Sequence, residues 1–445
     1  MQHAATPALP SRREAFGYWL KLGFISFGGP AGQIALMHDE LVVRRRWISE
    51  KRFLHAMNYC MLLPGPEAQQ LATYIGWLMH RTWGGVVAGG LFVLPSLLLL
   101  VALSWVYMAF GHVPAVAGIF HGIQPAVTAL VAQAALRVGT RALRNAWLWS
   151  IAAAAFLAIF AFDTPFPLIV VAAGVAGVVG GRLRPDKFRL GGGHGPASGG
   201  YGPAVIDDDT PTPAHARFTW RRFRLVLVTF VALWAVALGG LAIVFGWHGV
   251  LPQMGWFFTK ASLLTFGGAY AVLPYVYQGA VDHYRWLTAP QMMAGLALGE
   301  TTPGPLIMVV SFVGFVGGWT HAVPGIASPA LAGALAAAVV TFFTFLPSFF
   351  FILLGAPFIE SMHGNMKFTA PLTGITAAVV GVILNLAAFF ALHVLWPKGW
   401  AGPFEASSAV IGLAAGVALL RFKAGVIPVV AASGLAGLAL ALVRA

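Results

Sequence analysis

Long apolar segments follow one another along this chain, and few of them contain a charged residue. Residues 225–246, LVLVTFVALWAVALGGLAIVFG, are typical, because roughly 20 apolar residues in a helix cross the hydrocarbon of a bilayer. Only 9% of the residues are charged, against about 25% in a soluble domain. The alternating pattern of a membrane barrel is absent, and a bilayer otherwise admits only helices. The chain is therefore predicted to be an all-α polytopic membrane protein.

The two halves of the chain repeat each other in sequence. Two rare triplets recur at a constant offset of 239 residues, and a third recurs at an offset of 252. The equivalent triplets are Phe27-Gly28-Gly29 with Phe266-Gly267-Gly268, Pro64-Gly65-Pro66 with Pro303-Gly304-Pro305, and Leu94-Pro95-Ser96 with Leu346-Pro347-Ser348. Rare triplets in the same order indicate an internal duplication, and a duplication decides the architecture before other signals do.

A polar region separates the halves. We divide the chain into a first repeat (1–183), a flexible cytoplasmic linker rich in Gly, Pro and charge (184–224), a joining transmembrane helix (225–246) and a second repeat (247–445). Altogether about 13 hydrophobic segments are predicted. The single joining helix gives the second repeat the opposite orientation, so the repeat is predicted to be inverted, as in many secondary transporters.

The basic residues predict the topology. Of the 27 Lys and Arg residues, 20 precede residue 225, and the positive-inside rule places such loops in the cytoplasm. We therefore expect a cytoplasmic N-terminus and a C-terminus on the opposite side of the membrane. The net charge of +13 is attributed to topology and to contact with membrane lipids, not to nucleic acid. The single cysteine, Cys60, excludes a disulfide within the chain and a cysteine-rich metal site.

Each repeat contains two apolar segments that are interrupted near the middle. Segments 16–43 and 255–282 contain Phe-Gly-Gly, and segments 53–80 and 288–320 contain Pro-Gly-Pro. Glycine lets the backbone leave helical geometry, and proline removes a helical hydrogen bond. Two interpretations remain open: an interrupted segment either crosses the membrane completely or turns back as a re-entrant hairpin of two half-helices.

The breaks are candidate anion sites. A helix that resumes after a break begins with free N–H groups and the positive end of its dipole. The candidate substrate-binding residues at the breaks are Phe27, Gly28, Gly29, Gly65, Phe266, Gly267, Gly268 and Gly304. The alternative is that these glycines only allow close packing of helices.

Basic side chains near the breaks are further candidates. Lys21 and Lys260 each lie six residues before the Phe of a break, where a lysine either binds substrate or extends to the interface. Arg46 and Arg285 each precede a Trp. Their planar guanidinium groups suit an oxyanion, and the alternative is an interfacial anchor. Thr301 and Thr302, beside the second Pro-Gly-Pro, could add hydroxyl donors to the substrate-binding set.

Three residues are candidates for proton coupling. Glu67 follows the first Pro-Gly-Pro and Glu300 precedes the second, and the equivalent positions hold Leu306 and Met61. A carboxylate in an apolar site takes up a proton readily, although each could instead cap a helix start. His38 is the third candidate, either as a proton relay or as an interfacial residue.

Motifs for other chemistry are absent. The sequence contains no phosphate-binding loop, no G-x-S-x-G stretch and no H-E-x-x-H spacing. We therefore expect no enzyme activity, no metal site and no cofactor, and an ion gradient as the energy source.

Two long stretches resemble a known family. FGGPAGQIALMHDELVVRRRWISEKRFLHAMNYCMLLPGPEAQQLATYIGW and LLTFGGAYAVLPYVYQGAVDHYRWLTAPQMMAGLALGETTPGP resemble the signature regions of the chromate ion transporter family in its long, two-domain form. The resemblance implies export of chromate from the bacterial cytoplasm, driven by the proton motive force. It implies chromate and protons as partners, with sulfate as a competitor of the same tetrahedral shape. A carrier or channel for sulfate or another anion is the alternative, and the oligomeric state stays open.

Overall fold

The computed structural model describes residues 7–27, 29–188, 201–211, 213–361 and 369–444, so Gly28 lies outside the described residues. Within these ranges the chain is mainly helical, and its only β-bridge joins Ile48 to Ile206. Seven of the described helices are long and apolar enough to cross a membrane. The prediction of an all-α polytopic membrane protein is confirmed.

The first interrupted segment folds into a helical hairpin. Helix α1 (Arg12–Ile25) is capped by the Ser11 side chain, and helix α2 (Gly29–His38) continues as a π-helix (Asp39–Arg44). Arg45 Nη1, just past the π-helix, lies 3.0 Å from Glu14 Oε1 in the first turn of α1. The second half-helix therefore returns to the level at which the first began. We call residues 12–44 hairpin A.

The second interrupted segment also turns back. It consists of α3 (Glu50–Cys60) and the first part of α4 (Glu67–Phe110). Arg52 near the start of α3 and Tyr74 in α4 both contact Glu360, which requires the two half-helices to run side by side. We call residues 50–79 hairpin B.

Helix α4 reverses direction directly after hairpin B. His80 and Arg81 have non-helical backbone angles, with φ of 60° at Arg81. A Cβ placed on Gly76 would lie 2.5 Å from the carbonyl oxygen of Gly84, so residues 82–110 pack back along residues 67–79. Residues 82–110 of α4 are thus the first helix of the first repeat that is long enough to span the membrane completely.

The remaining helices follow the same plan in both repeats. The first repeat continues with α5 (Pro114–Ala142), α6 (Ala146–Phe162) and α7 (Phe166–Leu183), and α8 (Trp220–Phe245) joins the halves. The second repeat begins with α9 (Val250–Leu263), α10 (Ala269–Tyr277) with a π-helix (Gln278–His283), α11 (Ala289–Thr301), a 3-10 turn (Leu306–Met308) and α12 (Val309–Thr320). It ends with α13 (Pro329–Ser361), α14 (Thr369–Leu395), α15 (Ala406–Leu420) and α16 (Val426–Arg444).

The interrupted segments of the second repeat are hairpins as well. In hairpin C (250–283), a Cβ on Gly279 of the π-helix would lie 2.2 Å from the ring of Phe257 in α9. In hairpin D (289–320), Thr320 Oγ1 at the end of α12 donates to the Trp286 carbonyl oxygen, just before α11, at 3.3 Å. Of the two interpretations of the interrupted segments, the re-entrant hairpin is therefore the one found.

Helix α8 shows that the repeats are antiparallel. At its start, Arg222 Nη1 donates to the Ala214 carbonyl oxygen at 2.8 Å, and the neighbouring His215 Nε2 lies 2.9 Å from the carbonyl oxygen of Trp77, near the open end of hairpin B. Past its other end, the ring of Trp247 lies 6.4 Å from that of Trp256 in α9, where hairpin C opens. The hairpins of the two repeats therefore enter the molecule from opposite sides, as the inverted repeat predicts.

The described part of the linker is packed, which differs from the flexible linker expected from its composition. Residues 204–206 lie along the connection between hairpins A and B: Val205 N donates to Arg46 O at 3.0 Å, and Ser49 N donates to Ile206 O at 3.0 Å. Ile206 is buried, and Ser49 Oγ donates to the carboxylate of Asp208 at 2.6 Å. A short apolar pair inside the Gly- and Pro-rich stretch holds the linker on the mouths of both hairpins.

Candidate anion site at the crossing of the hairpins

The tips of the four hairpins meet in two equivalent pairs. Gly65 N in hairpin B donates to Thr265 O in hairpin C at 2.8 Å, and Gly304 N in hairpin D donates to Ser26 O in hairpin A at 2.8 Å. Both partners of the first bond differ from those of the second by the repeat offset, since 304 − 65 and 265 − 26 both equal 239. Each Pro-Gly-Pro therefore binds the Phe-Gly-Gly segment of the other repeat. We call residues 26–29, 64–67, 265–268 and 303–306 the crossing.

The glycines in the Pro-Gly-Pro triplets are required by backbone geometry and by space. Gly65 has φ of 121° and Gly304 has φ of 106°, a region that side chains rarely adopt. A Cβ on Gly65 would lie 2.5 Å from Ser348 Oγ, and a Cβ on Gly304 would lie 2.6 Å from Ser96 Cβ. Each tip thus packs directly against a serine of the other repeat.

Four helical segments begin at the crossing, at Gly29, Glu67, Ala269 and Leu306. The cap residues Pro66, Gly268 and Pro305 make no side-chain capping bond to these helix starts. The first N–H groups of a helix have no partner within the helix, and the dipole makes this end positive. A Cβ on Gly29 or Gly268 would meet nothing within 4 Å. The crossing therefore combines helix starts with open space, which suits an anion.

Two buried glutamines of the first repeat hold the backbone of the crossing. Gln33 Nε2 donates to Gly304 O at 2.6 Å and to Ser26 O at 3.2 Å, and Gln70 Nε2 donates to Pro64 O at 2.7 Å. Because the nitrogens face carbonyl groups, the orientation of both amides is determined. Their Oε1 atoms have no hydrogen-bond partner within the described ranges.

Two serines complete the crossing. Ser96 in α4 and Ser348 in α13 are 1% and 0% exposed, and among the described residues neither hydroxyl has a hydrogen-bond partner. Sequence reasoning missed both serines as site residues, although the repeated Leu-Pro-Ser triplet was a signal for them. Gln33 and Gln70 were missed too, and their only signal was a polar residue at an apolar position of the other repeat, Val272 and Val309.

The described residues of the Phe-Gly-Gly segments, Phe27, Gly29, Phe266, Gly267 and Gly268, lie at the crossing, whereas the candidate Gly28 lies outside the described residues. Phe27 is 39% exposed and Phe266 is partly buried. Gly267 has φ of 81°, and a Cβ there would lie 3.7 Å from Thr376 Oγ1. The N–H groups of Gly65 and Gly304 are engaged in the crossing bonds, so these two residues shape the site through their backbone.

None of the four basic candidates belongs to the segments that form the crossing. Lys21 is exposed on α1, and Lys260 Nζ lies 5.5 Å from the ring centre of Trp256. Arg46 lies at the mouth of hairpin A, where its carbonyl accepts from the linker, and Arg285 is exposed at the equivalent mouth of hairpin C. Both arginines have positive φ, 51° and 55°.

The proton-coupling candidates are divided between the crossing and its surroundings. Glu67 is the first residue of α4, at the crossing. Glu300, near the end of α11, accepts a hydrogen bond from the hydroxyl of Tyr270 in α10. His38 lies at the mouth of hairpin A, paired with Glu50.

The threonines beside the second Pro-Gly-Pro bond to their own helix. Thr301 Oγ1 donates to the Ala297 carbonyl oxygen at 2.9 Å, and Thr302 Oγ1 donates to that of Gly299 at 3.2 Å. Their hydroxyl hydrogens are thus already used within α11.

Comparisons with known proteins agree with the duplicated architecture. The family described as chromate transporter matches residues 13–178 and 252–438. The "Chromate transport protein" of Pseudomonas aeruginosa is 34% identical over 98% of this chain and 94% of its own length. That of Cupriavidus metallidurans is 29% identical over 92% of this chain and 88% of its own length.

A third relative, from Synechococcus elongatus, is named "Probable chromate transport protein" and is 28% identical over 84% of this chain and 83% of its own length. No solved structure matches the chain. The matched ranges contain all four segments of the crossing and leave out the whole linker, residues 184–224. The chain belongs to the chromate transporter family.

Proposed function

We propose that this protein is a secondary active transporter that exports chromate across the bacterial cytoplasmic membrane, driven by the proton motive force. The observation that carries the proposal is the crossing, where helix starts from two antiparallel repeats meet in open space. Family membership supports chromate as the anion. Broken helices that meet between inverted repeats are the usual substrate site of secondary transporters.

The crossing is proposed to bind the oxyanion and to change between two arrangements. Unpaired N–H groups at the four helix starts bind the anion through hydrogen bonds and the helix dipoles. The Gly65–Thr265 and Gly304–Ser26 bonds are the backbone contacts described between the repeats at the tips. One repeat moving against the other around these bonds exposes the anion to alternate sides of the membrane.

Coupling is assigned to Glu67 and Glu300, with His38 as a relay at the hairpin mouth. The bound oxyanion and a protonated carboxylate favour opposite-facing states, since only a difference in affinity shifts such an equilibrium. The membrane potential adds to this drive, because moving one charge through 100 mV corresponds to about 2.3 kcal/mol.

The four basic candidates are proposed to attract the anion toward the crossing. Lys21, Lys260, Arg46 and Arg285 lie on exposed or partly exposed surfaces of the hairpins. Cations around a low-dielectric site raise the local concentration of an anion. The side where hairpins A and B open is basic and is assigned to the cytoplasm, which leaves the C-terminus in the periplasm.

The test is uptake of labelled chromate into inverted membrane vesicles. Accumulation is expected when the vesicle interior is made acidic, and a protonophore should abolish it. Vesicles without the protein are the control. Lack of accumulation under an imposed gradient would contradict the proposal.

The same assay separates the alternatives. Sulfate that accumulates with a higher kcat/KM than chromate would identify a sulfate carrier. Chromate that only equilibrates, without accumulating against its gradient, would identify a passive channel.

A further inference from the structure

We infer that the hydroxyl groups of Ser96 and Ser348 bind the transported oxyanion directly, one hydroxyl from each repeat. This inference rests on the proposed function and adds to it the side chains that contact the substrate. Both serines are buried, and within the described part of the chain both hydroxyls lack a partner. A buried hydroxyl without a partner is destabilising and rare in folded proteins, and these two lie against the tips Gly304 and Gly65, where helix starts and open space suit a ligand.

The other side-chain donors at the crossing are already used. The amide nitrogens of Gln33 and Gln70 donate to carbonyl oxygens of the tips. The backbone N–H groups of Gly65 and Gly304 donate across the crossing. The Oε1 atoms of both glutamines only accept. The two serine hydroxyls are therefore the side-chain groups there that remain able to donate to an oxyanion oxygen.

Their position is the one that an oxyanion ligand requires. Ser348 lies against Gly65, two residues before α4 begins at Glu67, and Ser96 lies against Gly304, two residues before the 3-10 turn at Leu306. Each hydroxyl thus lies beside a helix start of the other repeat. A helix start supplies backbone N–H donors and positive potential, and the hydroxyl adds a donor from a second direction.

Neither serine hydroxyl bonds to its own helix among the described contacts. A serine within a helix commonly donates to the carbonyl four residues earlier, as Ser26 does to Leu22 O at 2.6 Å. Ser96 and Ser348 follow prolines within α4 and α13 and make no such bond among the described contacts. The Leu-Pro-Ser triplet recurs at the offset of 252, so each repeat has a serine directly after a proline within a helix.

Recognition at this site is therefore expected to depend on neutral donors and helix dipoles. The lysines of the hairpins lie outside the crossing, with Lys21 exposed and Lys260 beside Trp256. Two hydroxyls and several N–H groups from different directions suit the bare oxygens of a tetrahedral oxyanion. Chromate and sulfate both belong to this class.

The experiment measures chromate transport in inverted vesicles and chromate binding by the purified protein. Ser96→Ala and Ser348→Ala are each expected to raise KM about tenfold or more, because a hydrogen bond to a charged group is lost. Ser96→Thr and Ser348→Thr retain a hydroxyl and should restore KM to within about threefold. Ser104→Ala is the matched control, since Ser104 is also buried in α4 with an unpaired hydroxyl, eight residues from Ser96.

Binding is followed as the rise in unfolding temperature that chromate or sulfate causes in detergent. Loss of this rise in both alanine variants, with Ser104→Ala like the wild type, supports the inference. An unchanged KM and unchanged rise in both alanine variants would overturn it, and so would an equal loss in Ser104→Ala. If the wild-type protein binds chromate but does not accumulate it, the proposed function fails while the serine inference is still decided by the binding data.

Discussion

The hairpins of the two repeats have equivalent tips, but the side chains at their open ends differ. In hairpin A the guanidinium carbon of Arg45 lies 5.6 Å from the ring centre of Tyr18 and 5.1 Å from that of Trp47. At the equivalent position of hairpin C, Tyr284 packs 5.7 Å from Phe257 and stacks 4.5 Å from Trp286. The same pocket between two aromatic rings is filled by a cation in one repeat and by a third ring in the other.

The side chains that follow the breaks also differ, since they are polar in the first repeat and apolar in the second. The first repeat places Gln33, Glu67 and Gln70 at or near the crossing, whereas the second places Val272, Leu306 and Val309 at the equivalent positions. The backbone bonds at the tips, by contrast, are the same length in both pairs. The duplicated backbone therefore forms the tips in both repeats, while the polar side chains that follow the breaks come mainly from the first repeat.

Substitution of the two tip glycines should have the strongest effect, and it tests whether the tips of the two repeats are equivalent. Gly65→Ala and Gly304→Ala should each lower chromate transport about a hundredfold or more, because the new Cβ collides with a serine and positive φ becomes strained. Gly239→Ala in α8, where a Cβ meets nothing within 4 Å, should leave transport unchanged. Transport and unfolding temperature are measured for all three variants. Normal transport by only one of the two tip variants would show that the pairs of tips differ in role.

The next effect concerns the stability of the hairpin mouths. Arg52 and Glu360, 16% and 10% exposed, form an ion pair between hairpin B and α13, whereas the residue equivalent to Arg52 is Gln291, which forms a capping box with Thr288. Arg52→Met should lower the free energy of unfolding by about 3 kcal/mol, since it leaves the largely buried carboxylate of Glu360 with the Tyr74 hydroxyl but without a cation. Gln291→Met should lower it by only about 1 kcal/mol. Denaturant titration in mixed micelles compares the two, and equal losses would contradict the assigned difference.

A smaller effect is expected when the carboxylates are neutralised. Glu67→Gln and Glu300→Gln should each reduce the stimulation of chromate uptake by a pH gradient about tenfold, because a proton can no longer bind there. Tyr270→Phe removes the hydroxyl that donates to Glu300 but keeps the carboxylate, so it should retain the stimulation. Full stimulation in Glu300→Gln would limit coupling to the first repeat.

The smallest effect is expected for Lys21, which is exposed, and Lys260, which is partly exposed. Lys21→Gln and Lys260→Gln should raise KM for chromate about two- to threefold at low ionic strength, and less at high salt, because they act through a screened field. Uptake is measured at two salt concentrations. A tenfold rise that persists at high salt would mean that the lysines contact the anion.

Much of the fold could be predicted from the sequence because glycine and proline act locally. The Pro-Gly-Pro triplets that contain Gly65 and Gly304 interrupt their helices locally, and their recurrence at one offset reveals the duplication. Which segments contact each other at the four breaks could not be predicted, because the hydrogen bond between Gly65 and Thr265 depends on the tertiary fold. Whether an interrupted segment is a hairpin or spans the membrane was likewise decided only by tertiary contacts, such as that of Arg45 with Glu14.

The site was predicted less completely than the fold. Lys21 and Lys260 drew attention because a charge in an apolar segment is conspicuous, but the side of a helix that faces the centre is set by packing. Ser96 and Ser348 are small, neutral and common in membrane helices, so their burial without a partner becomes visible only in three dimensions. The docking of the linker through Val205 and Ile206 uses backbone bonds, which composition does not reveal.

The reciprocal bonds of the crossing also bear on how the protein is made. Gly65 and Thr265 are 200 residues apart in the sequence, and at a synthesis rate of about 5–20 residues per second the ribosome needs roughly 10–40 seconds to supply the missing partner. Until then the tips of hairpins A and B lack their partners in a membrane, where an unpaired backbone group is costly. During that time the backbone groups that later form the crossing bonds must be satisfied in another way, by other parts of the first repeat or by water.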